Sequence, residues 1–418
     1  MRRGMSKPLS GPIAALDIGS NKICCFIAVD DGEGVLRVTG VGHQVSKGIR
    51  AGAVVDMDEA EATIRSVVHA AESMAGETIQ GVILNLSGGY PACHTLGVQV
   101  AIDGHEISEA DMRRVLAQTD VPEEPNGRAV LHALPVGYSI DGTRGIRDPR
   151  GMFGERLGVD ILVVTATTGV LRNLTNTVSR CHLEVETVVL SPYASGLATL
   201  VDDELNLGAT VVDMGGGTTT IAAFLDGEVI HVDSIPVGGS HVTSDIARGL
   251  STPMIHAERM KTLYGSAMAS PTDERQLIDV PPVGETEAVS PNHVPRSMLI
   301  GIIKPRIEET LELVKKRLAD SGIAKVATQR TVLTGGASQL AGLRDVATQI
   351  LESQVRIGRP SRLRGLADAT GGPAFATCSG LLTYAVRERN EIALRGRTEL
   401  KGPGGRIGRL GQWLRENF

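Results

Sequence analysis

Residues 17–22 read Asp-Ile-Gly-Ser-Asn-Lys at the end of one apolar run, and residues 213–219 read Asp-Met-Gly-Gly-Gly-Thr-Thr at the end of another. Each places a carboxylate at a strand end beside a turn built on glycine, Gly19 in the first and Gly215, Gly216 and Gly217 in the second. Backbone without side chains lets N–H groups and hydroxyls converge on an anion. A carboxylate next to bound phosphate needs a cation between them, so Asp17 and Asp213, if they face each other, would hold Mg2+ directly or through water. Taken alone, the first turn is also what an ordinary hairpin looks like; three successive glycines lose more backbone entropy than a simple turn requires. A third turn, with Gly335, Gly336 and Ser338 after an apolar run, would let a flat ring lie against the backbone, although such a turn also serves as a plain strand-to-helix loop. No GxxxxGK[ST] occurs and no GxGxxG follows a strand, which excludes a P-loop and argues against a dinucleotide fingerprint.

The elements that must position these turns alternate in type. A hairpin over residues 13–29, a strand near 35–42, a helix near 58–75 and a strand at 81–86 lead to a segment, 85–165, that differs in character: it has a Ser-capped helix and flanks rich in Pro and Gly. The run 161–168 then reads as a strand returning to the first lobe, followed by a helix near 169–181. At 209–225 the opening pattern recurs, with Asp213 aligned on Asp17 and Gly215 on Gly19, a weak internal duplication that implies two similar halves facing each other. A loop at 266–297, an amphipathic helix at 304–321 and a strand at 330–336 complete the second half, and 396–405 has linker composition.

Composition narrows the function classes. With 418 residues and 42% hydrophobic content the chain can bury cores in two or three domains, and 42 basic against 48 acidic residues disfavour nucleic acid as a partner. Five cysteines without a CxxC pair point to neither a disulfide framework nor zinc, and to a reducing cytoplasm. No apolar run approaches the ~20 residues that span a bilayer, so the chain is expected to be neither secreted nor transmembrane. The tail offers a different membrane contact: Ile407, Leu410, Leu414 and Phe418 share one helical face bordered by Trp413, while Arg406, Arg409 and Arg415 lie beside or opposite it, ready for anionic lipid headgroups. A C-terminal helix can also dock on its own core, but here the only tryptophan of the chain stands behind a Gly/Pro linker.

In this order and spacing, the three turns resemble the two phosphate motifs and the adenosine motif of the actin-like ATPase superfamily. Within it the chain looks most like the FtsA family of bacterial cell-division proteins: LDIGSNK, VVDMGGGTTTIA, PVGGSHVTSDIARGL, VLTGGASQLAGL, QVRIGRP and the tail IGRLGQWLRENF stand in family order over nearly the whole chain. The resemblance implies an α/β, actin-like (ribonuclease H-like) two-lobed fold with duplicated mixed sheets, an inserted α+β subdomain and a C-terminal amphipathic helix. It divides the chain into a first lobe at 12–84 and 166–205, the insertion at 85–165 (self-association and divisome contacts), a second-lobe core at 206–240 and 326–370, an outer subdomain at 241–325 (nucleotide base and FtsZ-tail side), a helix returning to the first lobe at 371–395, a linker at 396–404 and a membrane-targeting helix at 405–418.

The resemblance also implies site residues. Ser20, Asn21 and Lys22 would line the first phosphate turn, and Gly215 to Thr219, including Thr218, the second. Gly238 and Gly239 would form a further phosphate-side turn, Glu258 and Lys261 would contact ribose and base, and Gly335, Gly336 and Ser338 would close the adenosine pocket. From the residues alone, Glu258 and Lys261 read as a solvated helix face with an i,i+3 pair. As cofactors the resemblance implies ATP and Mg2+. As partners it implies the FtsZ C-terminal peptide, with Arg296 and Arg306 as contacts, anionic lipids, further copies of the chain in filaments and later division proteins. The implied place is the cytoplasmic face of the inner membrane at the division site. Nucleotide would act mainly as an assembly switch, with at most slow hydrolysis. The competing readings are an actin-fold phosphotransferase or phosphohydrolase, such as a sugar kinase or an exopolyphosphatase-like enzyme, and a pilus-assembly adaptor.

Overall fold

The computed structural model describes residues 11–31, 35–118, 127–284, 292–323, 329–361 and 363–395. Strands β1 (Ile13–Ile18) and β2 (Lys22–Asp30) form an antiparallel hairpin extended by β3 (Leu36–Val45). Every residue of β1 is buried, as suits a strand in mid-sheet with both faces covered. After a short ribbon, β4 (Ile49–Arg50) with β5 (Ala53–Val54), helix α1 (Met57–Ala75) leads to β6 (Gly81–Leu86), which lies parallel to β1. The ends of α1 are written into the sequence: the Asp56 carboxylate accepts from the backbone N–H groups of Asp58 and Glu59 at 3.1 and 3.0 Å, and Gly76 closes the helix in the left-handed region.

The chain then departs into an inserted unit: β7 (Ala92–Ala101), α2 (Glu109–Ala117), β8 (Arg128–Ile140), β9 (Thr143–Ile146) and β10 (Arg156–Thr167), an antiparallel sheet in the order β7-β10-β8-β9. Helix α3 (Thr168–Arg180) and strand β11 (Glu184–Leu190) complete the first-lobe sheet as β11-β6-β1-β2-β3. Helices α4 (Ser191–Thr199) and α5 (Asp202–Leu207) lead across to the second lobe. There β12 (Ala209–Met214), β13 (Thr219–Leu225) and β14 (Glu228–Ile235) form an antiparallel meander. Helices α6 (Gly239–Gly249) and α7 (Met254–Tyr264), the ribbon β15 (Leu277–Val280) with β16 (Asn292–Pro295), and helix α8 (Arg296–Asp320) build the outer part. Strand β17 (Arg330–Thr334), helix α9 (Leu343–Leu351) and strand β18 (Gln354–Ile357) finish a sheet ordered β14-β13-β12-β17-β18.

The two five-stranded sheets share one topology: a three-strand antiparallel meander whose first strand is flanked on its other side by two parallel strands. This is the duplication that the Asp17/Asp213 alignment foreshadows. The lobes are joined at the crossing of α4 with α10 (Ala376–Arg395). All nine residues of α4 are buried, and the helices approach so closely that a Cβ on Gly380 would lie 1.8 Å from the Ala194 carbonyl oxygen.

Three local expectations differ from what is observed. The run 161–168 does not return the chain to the first-lobe sheet; it is the second half of β10, paired with β7 and β8. Its residues are apolar on both sides because Ile161 and Val163 enter the insertion's own core while Leu162, Val164 and Ala166 enter the first-lobe core. Residues 266–297 are not wholly loop, since β15 and β16 pair within them. Helix α8 starts at Arg296, well before the expected 304, and contains Pro305. Proline removes one helical hydrogen bond, but Leu299, Ile303, Ile307 and Leu311 are all buried along this helix, and tertiary packing overrides the local breaker.

His132 on β8 couples the insertion to the first lobe: its Nε2 accepts the Leu190 N–H at 3.0 Å, and Tyr193 meets its ring edge-on. Burial pushes its pKa down to about 4. Between that value and the ordinary ~6.5 the unfolded chain binds a proton that the folded chain refuses, so this contribution is complete above about pH 6.5 and is lost as pH falls toward 4. His132→Gln, which keeps an acceptor without titrating, is expected to flatten the acid arm of a urea-denaturation series by up to about 3 kcal/mol between pH 6.5 and 4.

Candidate phosphate-binding cleft

The hairpin turns after β1 and β12 are closed in the same way, by Gly19 N–H donating to the Lys22 carbonyl and Gly215 N–H to the Thr218 carbonyl, both at 2.9 Å. The fold brings these turns into contact. A Cβ on Gly216 would lie 2.5 Å from Asn21 Cγ, and one on Gly217 would lie 2.4 Å from Ser20 Oγ, so a side chain at either position would push its neighbour in the first turn aside. Ser20 Oγ accepts from the Gly52 N–H at 3.1 Å, and Ser240 Oγ donates to Asn21 Oδ1 at 2.6 Å. The turn holding Gly238 and Gly239 joins them: Gly239 and Ser240 N–H groups donate to the Gly215 and Gly216 carbonyls at 2.9 and 2.8 Å.

The third turn reaches the same place. Gly335 has φ +83°, and a Cβ there would lie 2.3 Å from Asp213 Oδ1. A side chain at 335 would be excluded both by that contact and by the left-handed backbone. Ser338, buried, donates from Oγ to the Gly335 carbonyl at 2.7 Å, while a Cβ on Gly336 would make ordinary contact with Ala374 at 3.8 Å. Lys261 is not on a solvated face: its Nζ donates to the Gly239 carbonyl at 3.1 Å, to Thr243 Oγ1 at 2.8 Å and to Glu258 Oε2 at 2.7 Å. The i,i+3 pair with Glu258 is therefore present, but it is turned toward the glycine turns, and Thr243 Oγ1 also donates to Glu258.

Two buried carboxylates share this cleft. Asp17 is pushed up to about 7, first by burial, with Lys22 opposing and Asp213 adding to the rise. Asp213 is raised by burial too, against hydrogen bonds from Ser195 and Thr377 and the charge of Lys22. Ser195 Oγ donates to Asp213 Oδ2 at 2.5 Å and Thr377 Oγ1 donates to it at 3.0 Å. Lys22 Nζ donates to the Ala374 carbonyl and lies 3.3 Å from the centroid of the Phe375 ring. Two acidic groups beside one ammonium leave room for added positive charge. Asp17 and Asp213 fit a hard divalent cation whose remaining ligands would be phosphate and water oxygens; among the described residues no cluster of three or more His, Cys, Asp or Glu offers an all-protein metal cage.

Sequence reasoning missed Ser195, Ser240, Phe375 and Thr377, which touch the motif residues from distant parts of the chain. It also missed Asn85, whose Oδ1 accepts the Ile18 N–H at 2.7 Å and whose Nδ2 donates to Ser191 Oγ at 3.1 Å; a lone Asn in the apolar run 81–86 was its available signal. Arg296 and Arg306 lie on α8 and are engaged within the chain. Arg296 pairs with buried Asp273 at 2.5 Å, and Arg306 pairs with Asp245 at 2.6 Å and Glu309 at 2.5 Å. The tail residues Arg406, Ile407, Arg409, Leu410, Trp413, Leu414, Arg415 and Phe418 lie outside the described residues. Among the described residues, no helix is long and apolar enough to cross a membrane.

Comparison with known proteins places this architecture. A family model described as "Cell division protein FtsA" matches residues 210–380, and one described as "SHS2 domain inserted in FTSA" matches 88–165. A relative from Agrobacterium fabrum, "Cell division protein FtsA", is 46% identical over 429 aligned residues, covering 99% of this chain and 97% of its own. Proteins of the same description from Pseudomonas aeruginosa and Escherichia coli are 34% and 33% identical, each over 97% of this chain and 98% of their own. Among solved structures, the "PilM-PilN type IV pilus biogenesis complex" aligns with TM-score 0.63 at 17% identity, covering 90% of this chain and 98% of that one. MreB5 of Spiroplasma citri bound to ADP aligns with TM-score 0.55 at 14% identity, covering 91% and 98%. These two likenesses establish the actin-like fold.

Because the turns meet without spare room, Gly217→Val is expected to drive Ser20 and the backbone near Ala51 apart and to cost about 1–3 kcal/mol, read as a lower midpoint in urea denaturation.

Proposed function

The chain belongs to the FtsA family of cell division proteins, and from that membership we propose that it is an ATP-binding, actin-like protein that links division filaments to the membrane. The observation that carries the nucleotide part is the convergence of Asp17, Lys22, Asp213 and three glycine turns at the place where the lobes meet. Glycine turns from both lobes would take the phosphates through backbone N–H groups, with Ser20, Asn21, Thr218 and Thr219 adjacent. Asp17 and Asp213 would hold the magnesium ion that accompanies ATP, directly or through water, and that ion would supply the charge the buried pair lacks. The pocket edge formed by Gly239, Lys261, Glu258, Gly335, Gly336 and Ser338 would receive the nucleoside.

Since its phosphates would touch both lobes, bound ATP stabilises the closed form and serves mainly as an assembly switch for filaments of this chain, with at most slow hydrolysis. The helix read over 405–418 would lay Ile407, Leu410, Trp413, Leu414 and Phe418 into the inner membrane's cytoplasmic face, and clustered copies would multiply a weak single-helix affinity. The outer part of the second lobe would receive the FtsZ C-terminal peptide. Arg296 and Arg306 would have to loosen their ion pairs to do so, which makes them weaker contacts than free arginines. The insertion would contribute to self-association and to recruitment of later division proteins. Family membership favours this reading over a sugar kinase, a phosphohydrolase or a pilus adaptor.

Deleting 405–418 is expected to move the protein from the pellet to the supernatant with anionic liposomes while nucleotide affinity is kept; unchanged pelleting would remove the anchor. In a fluorescent-nucleotide titration with magnesium, Asp213→Ala is expected to raise Kd about tenfold or more, a loss of ~1.4 kcal/mol or more. Equal affinity would count against the cleft assignment.

A further inference from the structure

The two charged groups from opposite turns that would meet a nucleotide, Lys22 and Asp213, are both held by one short segment, Lys22 by Ala374 and Phe375 and Asp213 by Thr377. The Ala374 carbonyl accepts from Lys22 Nζ, the Phe375 ring lies 3.3 Å from that ammonium, and the Thr377 hydroxyl donates to Asp213 Oδ2 at 3.0 Å. Residues Ala374–Thr377 are the 3-10 turn and first turn that open α10. Phe375 is fixed from behind, stacked on Phe26 at 5.9 Å and met edge-on by His43 at 5.5 Å, so the ring is a rigid platform. Thr377 is anchored as well, because its hydroxyl lies 3.0 Å from Ser195 Oγ on α4.

We infer that residues 374–377 are nucleotide-responsive positioning residues: they hold Lys22 and brace Asp213, and they give up the lysine to a bound triphosphate. The inference rests on the nucleotide reading above. A bound phosphate oxygen would compete with the Phe375 ring for the Lys22 ammonium, and the attraction to the ring is the weaker because a ring quadrupole carries no net charge. Moving Lys22 to phosphate therefore leaves the Ala374 carbonyl without this donor at the start of a helix that runs on to Arg395 and crosses α4 at Gly380. By linkage, whatever holds the opening turn of α10 in place weakens nucleotide binding by the same factor that nucleotide loosens the turn.

The test uses the full chain and two readouts. In the first, fluorescent ATP with magnesium is titrated onto wild type, Phe375→Leu, Lys22→Met and the double variant. Phe375→Leu keeps an apolar side chain and removes the π-face, so Kd is expected to fall about three- to tenfold. In the Lys22→Met background the same change should have no effect, a non-additivity that a purely structural Phe375 would not produce. The second readout is hydrogen exchange of wild type, which stays decisive if a variant fails to fold: saturating ATP is expected to accelerate exchange in peptides covering 373–380 by about threefold or more. Binding by wild type with unchanged exchange in 373–380, or Phe375→Leu folding normally with unchanged or raised Kd, overturns the holding role and leaves the nucleotide reading intact. Absence of any nucleotide binding by wild type overturns both.

Discussion

Two carboxylates are buried where the lobes meet, and the charge of one ammonium, Lys22, opposes the cost of burying both. An isolated buried charge is so costly that proteins normally neutralise it, pair it or place a metal beside it. Here the compensation is partial: Lys22 offsets both acids, Ser195 and Thr377 hydrogen-bond one of them, and Asp17 is left with its proton affinity raised. Polar groups placed so poorly for stability at the junction of two lobes are what makes this the candidate site. The rest of the architecture can be read as the scaffold that keeps these acids together, because each stands at the end of a fully buried strand near the middle of its sheet.

The scaffold repeats itself. Each lobe contributes a meander, a glycine-closed turn and an acid, and the turns touch through Gly216 and Gly217 on one side and Asn21 and Ser20 on the other. The α4–α10 crossing supplies the complementary constraint, since Gly380 lets one helix rest on the other's backbone near Ala194. Thr377 and Ser195, one from each of those helices, meet on Asp213, so the connection between lobes and the acid of the second lobe share the same hydrogen bonds.

Much of this was legible in the sequence because it is local. Glycine turns, the duplicated Asp-x-Gly pattern and the caps of α1 are set by neighbours within a few positions, and the actin-like fold followed from their order. What was not legible depends on distance along the chain. Thr377 is separated from Asp213 by 164 residues, and nothing around it marks a site. From the residues alone Lys261 reads as a solvated side chain with an i,i+3 partner; it is the approach of Gly239 that turns it inward. The periodicity predicts a helix only over 304–321, whereas burial of Leu299 and Ile303 carries α8 back to Arg296 through Pro305. The run 161–168 reads as a first-lobe strand for a related reason: an unbroken apolar run says that both faces are covered but not by what.

That strand has a bearing on how the molecule is divided. Along β10, alternate side chains serve different cores, with Leu157, Val159, Ile161 and Val163 facing the insertion's interior and Leu162, Val164 and Ala166 facing the first lobe, joined there by Ala129 and Leu131 from β8. Residues 88–165 therefore match a family model as a unit without being self-contained in physical terms. Excised, they would present a bare aliphatic sheet surface to water and would tend to clump. Grafting the piece onto another host would call for polar replacements at 129, 131, 162 and 164, and evolution could shuffle it only together with the wall it leans on.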